Sequence, residues 1–214
     1  MPLIPAEDPA RHVWRMAASR PGGTSAALDA PARPPLAVSS PQLHGAIPVR
    51  RAHRRFTDQP VRRELLAEVL SGARAAYGHH WPPAQRPVLR VLVAAYEVTG
   101  LLPGLHDDDG HLGCPRWLRR LRSSYAKAPA LVLVCADLAS RRPGHAAALF
   151  HAAALGHAVW LSATALGLGA CGFGGSSAEV TACAAGGTPS LRHAFTLALG
   201  HPESETCDRP GGGP

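Results

Sequence analysis

Four arginines, Arg50, Arg51, Arg54 and Arg55, stand within the segment Arg-Arg-Ala-His-Arg-Arg-Phe-Thr-Asp-Gln-Pro-Val, Arg50 to Val61. Guanidiniums this close repel one another unless an anion lies among them. Their planar forks match a phosphate better than the point charge of an ammonium does. The chemistry this spacing permits is therefore a phosphate clamp. The competing reading is a solvated basic patch, which is where charge runs usually sit.

A second constellation is rich in glycine. Leu166-Gly-Leu-Gly-Ala-Cys-Gly-Phe-Gly-Gly175 sets Gly167, Gly169 and Gly172 at the spacing of a dinucleotide-binding loop. That fingerprint needs a strand before the glycines and a helix after them. Here a helical pattern precedes them, so a Rossmann site is excluded. What remains is a backbone that a flat ligand can approach closely. His106-Asp-Asp-Asp-Gly-His111 offers metal-type ligands without a convincing third or fourth partner, and Asp109-Gly110 is a hairpin signal. A polar turn explains it, and no metal site is expected. His79 and His80, beside Tyr77 and Trp81, read as loop residues that face either solvent or a substrate.

The elements that must position these groups follow from apolar periodicity. A helix is expected from Pro41 to Arg51, and a second after Pro60, with Leu65, Leu66, Val69, Leu70 and Ala73 on one face. Gly78 to Pro87 reads as a loop. Val88 to Val98 and Ala130 to Ala136 read as buried strands, and Ala194 to Leu199 as a last one. Pro115 to Lys127 is a basic amphipathic helix, most simply a surface helix packed by its apolar side, that could also dock an acidic peptide or a membrane surface. A long Ala/Leu helix is expected from Pro143 to Leu168 and a short one from Ser177 to Ala185. Interleaved helices and strands place the chain in the α/β or α+β class.

The 214 residues suit one domain with tails, and 46% apolar residues are enough for a core. Residues 1–42 and 203–214 have the Gly/Pro-rich composition of a poorly ordered extension and a flexible tail. A net charge of +7 implies attraction to anions. The five cysteines form no Cys-x-x-Cys pair, and no apolar leader follows the first charges, so free thiols in a reducing cytoplasm are expected. Ala146 to Ser177 carries no Asp, Glu, Lys or Arg. Its alanines, histidines and terminal glycines favour a core or subunit-interface helix over a membrane span.

Taken in order, three motifs resemble the nitroreductase family of flavin enzymes: Arg50-Arg-Ala-His-Arg-Arg-Phe56 with Pro60-Val61, Ala163-Thr-Ala-Leu-Gly-Leu-Gly-Ala-Cys-Gly-Phe-Gly-Gly175, and Ala198-Leu-Gly-His-Pro202. The resemblance covers residues 43–202. The segment from Arg90 to His111, with Val-Thr-Gly-Leu-Leu-Pro-Gly-Leu and its acidic turn, looks like the branch that oxidises azoline rings in ribosomally made peptides. The resemblance implies an α+β, three-layer fold, a mostly antiparallel sheet flanked by helices. It also implies FMN at the interface of a homodimer, or of a heterodimer with a homologue. Arg50, Arg51 and Arg54 would bind the FMN phosphate and ribityl chain, Ala52 stands where the family has serine, and Gly172, Phe173, Gly174 and Gly175 would lie against the isoalloxazine. Arg209 is the one C-terminal basic residue that could complete the phosphate site. His53 and Arg55 would alternate away from the phosphate, and Phe56 would anchor the turn.

Two departures bear on chemistry. The branch's Lys-Tyr pair, proposed as acid/base groups, is matched by Arg142-Pro143, and neither residue is a useful base. The serine-containing flavin loop of many relatives is replaced by Gly78-His-His-Trp-Pro-Pro-Ala-Gln85. Catalytic residues are thus unassigned, with His79, His80, Tyr77 and Tyr125 the candidate bases. The expected function is FMN-dependent dehydrogenation of an azoline or related group in a peptide. The alternatives are an NAD(P)H-dependent nitro or quinone reductase and a catalytically silent partner subunit that binds a peptide substrate or leader. No nucleic-acid or membrane partner is expected.

Overall fold

The computed structural model describes residues 40–81, 83–139, 144–185 and 190–203. Nearly all of both expected terminal segments, Arg142-Pro143 and Arg209 lie outside them. The elements are α1 (Ser40–Val49), β1 (Val61–Arg62), α2 (Arg63–His80), β2 (Leu89–Ala95), β3 (Val98–Thr99), β4 (Gly104–Asp107), β5 (Gly110–Gly113), α3 (Leu118–Ser124), β6 (Ala130–Asp137), α4 (His145–Ala165), β7 (Gly169–Phe173), α5 (Ala178–Ala184) and β8 (Leu191–Gly200). Six strands form one sheet in the order β5-β4-β2-β6-β8-β7, every neighbouring pair antiparallel. β1 and β3 make a small parallel pair.

The middle strands are buried on both faces, which is why they read as continuous apolar runs with no period of two. In β6, Val132, Val134 and Ala136 point into the core beneath α2 and α4. Leu131, Leu133 and Cys135 point into the opposite core, beneath Leu118 and Leu121 of α3 and Val180 of α5. The result is the expected three-layer α+β arrangement. Cys114, Cys135, Cys171 and Cys183 are free thiols.

α4 is long and apolar enough to cross a membrane by length and composition. It is instead laid across β6, β7 and β8 and against α2. Gly156 makes this possible: a Cβ there would stand 2.4 Å from the Phe195 ring. Gly156→Val should therefore force α4 off β8 and lower stability by about 1–3 kcal/mol, the usual cost of overpacking. A urea titration checks this, and an unshifted midpoint would refute the packing role.

Several boundaries differ from the sequence reading. The expected loop at Gly78 is still helix, because α2 runs to His80, and a single 3-10 turn spans Pro83–Gln85. Trp81 stops the helix and packs its ring 4.9 Å from that of His151. The basic helix is shorter than expected, since Ala126 and Lys127 adopt positive φ of 71° and 49°. Tyr96 and Glu97 both donate to the Pro129 carbonyl, which divides the expected strand into β2 and β3. The glycine segment holds a strand, β7, that its composition conceals: glycine contributes no side chain to the pleated surface.

The acidic turn joins β4 to β5 as a hairpin. Asp107 Oδ1 accepts from the amides of Asp109 (3.0 Å) and Gly110 (3.1 Å). Its Oδ2 accepts from Arg90 at 2.6 Å. Among the described residues no cluster of metal-type ligands occurs.

Candidate functional site

Beyond α1 the arginine element follows the β7 edge of the sheet. Ala52 bridges Ala170, and the His53 amide donates to the Ala170 carbonyl at 3.0 Å. The chain then turns under the end of β8, where Phe56 bridges Pro202 and the Thr57 amide donates to the His201 carbonyl at 2.9 Å. Two glycines let it lie so close. A Cβ on Gly169 would come within 2.9 Å of Pro202 and 3.1 Å of His53, and one on Gly200 within 2.6 Å of Pro129 and 2.9 Å of Phe56. Phe56 thus anchors the turn by packing on Gly200.

Main-chain bonds hold this segment, and the four guanidiniums spread from it. Arg50 is half-buried and stacks 4.4 Å above the Trp160 ring of α4, a cation–π contact. Arg51, Arg54 and Arg55 are exposed. Arg55 meets Glu203 at 3.6 Å, an open pair worth little. Arg54 and Arg55 both border the cavity beneath α3. His53 packs inward against Gly169.

The glycines at the end of β7 and just beyond it play unequal parts. At Gly172 the space for a Cβ is taken by Phe195 (3.0 Å) and Trp160 (3.2 Å). At Gly175 it is taken by the Tyr125 hydroxyl at 3.0 Å. Gly174 faces open space. The Phe173 ring lies 5.2 Å from Tyr125, edge to face. Trp160, missed by sequence reading, joins the two motifs: its ring touches Arg50 and also nears Gly172. Its indole N–H is buried and without a partner. The available signal was a large aromatic in an otherwise Ala/Leu-rich helix turn.

His193 fixes the end of the glycine segment. The Ser177 amide donates to its Nδ1 at 3.0 Å, so Nε2 carries the proton and donates to Thr196 Oγ1 at 2.8 Å. The ring is 1% exposed, and burial pushes its pKa down to about 4. Ser177 then caps α5, its Oγ accepting from the Val180 amide at 3.3 Å.

Of the four candidate bases, Tyr125 alone touches the glycine segment. His79 and His80 are exposed at the end of α2, their rings 5.4 Å apart. Tyr77 is buried between α2 and α4, its hydroxyl 2.8 Å from His151 Nδ1. Burial raises the Tyr77 pKa against the pull of Arg86, and burial together with Arg86 lowers that of His151. This pair is a neutral core contact.

The residues fit a phosphate-bearing flat cofactor in two places. Arg51 and Arg54 are exposed, and among the described residues neither forms an ion pair. Gly174 leaves room that a Cβ would fill.

The chain is similar in fold to several solved structures. A nitroreductase-like protein of Ralstonia eutropha is 21% identical, with TM-score 0.61, over 83% of this chain and 89% of that one. Nitroreductase A of Vibrio parahaemolyticus is 18% identical, with TM-score 0.53, over 76% and 68%. A nitroreductase-like protein of Anabaena variabilis is 18% identical, with TM-score 0.59, over 75% of this chain, which spans only 38% of that structure's length. No curated protein matches the chain. The Nitroreductase family profile, however, matches residues 47–201, from the end of α1 to the residue after β8. With the sheet order, the arginine element on β7 and the glycine segment beyond it, that match makes the chain a member of the Nitroreductase family, an oxidoreductase family that generally binds FMN.

Proposed function

We propose that this family member is an FMN-dependent oxidoreductase that dehydrogenates an azoline or related group in a ribosomally made peptide. The observation that carries the cofactor is the Ala52–Ala170 bridge. It sets the arginine element beside the strand that leads into Gly172–Gly175. When bound, FMN supplies a hydride acceptor for the carbon being oxidised. Arg51 and Arg54 would hold its phosphate by charge-assisted bonds. Gly174 would admit its ring system, and Tyr125, whose hydroxyl lies against Gly175, would hold or relay a proton at its oxygen. The peptide substrate rests on the resemblance of the Arg90–His111 segment to the azoline-oxidising branch.

A second copy would cover the apolar side chains left exposed on α1 and α4. Ile47, Val49, Leu149 and Phe150 are 57%, 59%, 40% and 56% exposed. Exposed apolar residues of this size mark an association surface when they form a patch. A homodimer through α1 and α4 accounts for them. An NAD(P)H-dependent nitro or quinone reductase is the second reading, favoured by Arg142-Pro143 in place of an acid/base pair, since that reaction needs no side-chain base.

The absorbance spectrum of the purified, FMN-supplemented protein tests the cofactor. Oxidised-flavin bands that survive desalting are expected, and a colourless protein sinks the proposal. Anaerobic bleaching by NAD(P)H selects the reductase, whereas conversion of an azoline peptide with oxygen as acceptor selects the dehydrogenase. Arg54→Ala should weaken FMN retention by about 1.5–3 kcal/mol, the usual worth of a bond to a charged group. Unchanged affinity by fluorescence titration removes Arg54 from the phosphate site.

A further inference from the structure

On the other side of the sheet from α2 and α4 lies a cavity of about 990 Å³, under α3 and beside the Arg54–Asp58 segment. Its volume is at the upper end of the range that encloses a drug-sized ligand, so several peptide residues fit. We infer that it receives an acidic peptide segment. The inference is separable from the flavin reading, because Arg119 of α3 and Lys127, three residues past the end of that helix, supply the determinants that the test alters.

Five cations border the cavity: Arg54, Arg55, Arg119, Arg122 and Lys127. Three acids, Asp58, Glu97 and Glu203, stand among them. Two of the acids are already engaged, Glu97 by Arg122 at 2.8 Å and Glu203 by Arg55 at 3.6 Å. Arg54, Arg119 and Lys127 are exposed and, among the described residues, form no ion pair. With Arg54 set aside for the flavin phosphate, Arg119 and Lys127 still leave two free cations against one free acid, Asp58, and so attract a ligand with spaced carboxylates.

The lining also discriminates between anions. A nucleic-acid or polyphosphate chain carries a charge on every unit and would press against Glu97, Glu203 and Asp58. A peptide can present a carboxylate only where a cation stands and a neutral residue elsewhere. It also needs apolar contacts, which Phe56, Pro103 and Ala126 provide. The Tyr96 hydroxyl is spent on the Leu118 carbonyl at 2.8 Å, so its ring offers only a face, with Arg122 5.2 Å above it. Few aromatic faces remain on which bases could stack.

The test uses the full chain and a fluorescein-labelled ten-residue peptide alternating Glu with Ala, against the same peptide with Gln for Glu. Fluorescence anisotropy should show saturable binding of the Glu peptide, weakened by salt, and none of the Gln peptide. R119E/K127E should bind about tenfold or more weakly, as expected for reversed charges at a complementary surface. Its circular dichroism and flavin content should be unchanged. R119Q/K127Q, a gentler pair, should show a smaller loss in the same direction. Cys114, an exposed thiol in the cavity wall, supplies a second readout: saturating Glu peptide should slow its alkylation. Equal binding of the Gln peptide, unchanged affinity in both variants, unslowed alkylation, or displacement by single-stranded DNA at lower concentration than by the Glu peptide would overturn the assignment.

Discussion

Arg90→Ala is expected to lower the unfolding free energy by about 1.5–3 kcal/mol at neutral pH, the scale for losing a hydrogen bond to a charged group. Arg90 sits on β2 and bonds in two directions. One nitrogen donates to Asp107 Oδ2 at 2.6 Å and another to the Ala184 carbonyl at 2.9 Å, so one side chain ties the β4–β5 hairpin and α5 to the central sheet. The Asp107 side chain is only 6% exposed. Burial alone would raise its pKa, but Arg90 and the amides of Asp109 and Gly110 outweigh this and hold it below the usual carboxylate value. Removing the guanidinium strands a carboxylate in the wall of the sheet.

The pH dependence separates this account from a simple loss of packing. A depressed carboxylate pKa contributes stability that is present above the unfolded-state value and is lost as pH falls through the folded-state value. The wild type should lose that contribution in acid. Arg90→Ala should lose less there, since protonated Asp107 no longer needs the cation, so the gap between the two proteins should narrow. Urea midpoints at neutral and acidic pH check this, and a constant gap would sink the electrostatic explanation.

Acidification should also act through His193. The ring is neutral in the fold with a pKa of about 4, against an unperturbed value of about 6.5. Its contribution is complete above the unfolded-state pKa and disappears as pH falls from there through the folded-state pKa, costing about 3 kcal/mol over that window. Protonation would put a proton on Nδ1, where the Ser177 amide must donate, so the α5 cap and the end of the glycine segment should loosen together. His193→Gln should unfold more easily at pH 7 yet show a flatter dependence between pH 6.5 and 4. A steep dependence that persists in that variant would assign the acid sensitivity elsewhere.

Much of this fold could be read from apolar runs, because β2, β6 and the long α4 are buried by burial-prone residues. The parts that stayed hidden have physical causes. β7 is mostly glycine and small residues, so its pairing is carried by backbone alone and leaves no side-chain period. The loop expected at Gly78 is helix, and it ends only at Trp81, which packs on His151 of a distant helix; no local signal reports that contact. At the site, the arginine and glycine motifs were legible as types and spacings. That Arg50 would stack on Trp160, and that Gly172 serves Phe195 while Gly174 stays open, depends on packing across α4 and β8.

The arginine segment also shields the sheet. Without its bridge to Ala170, β7 would present a short glycine-rich row of unpaired amides and carbonyls, the kind of edge that recruits another strand. Arg51, exposed next to that bridge, adds a like charge against a second copy approaching edge to edge. The opposite margin, β5, is short and exposed, and β4 beside it is broken by a register shift at Leu105/His106. The segment that invites a ligand therefore also keeps the sheet from growing.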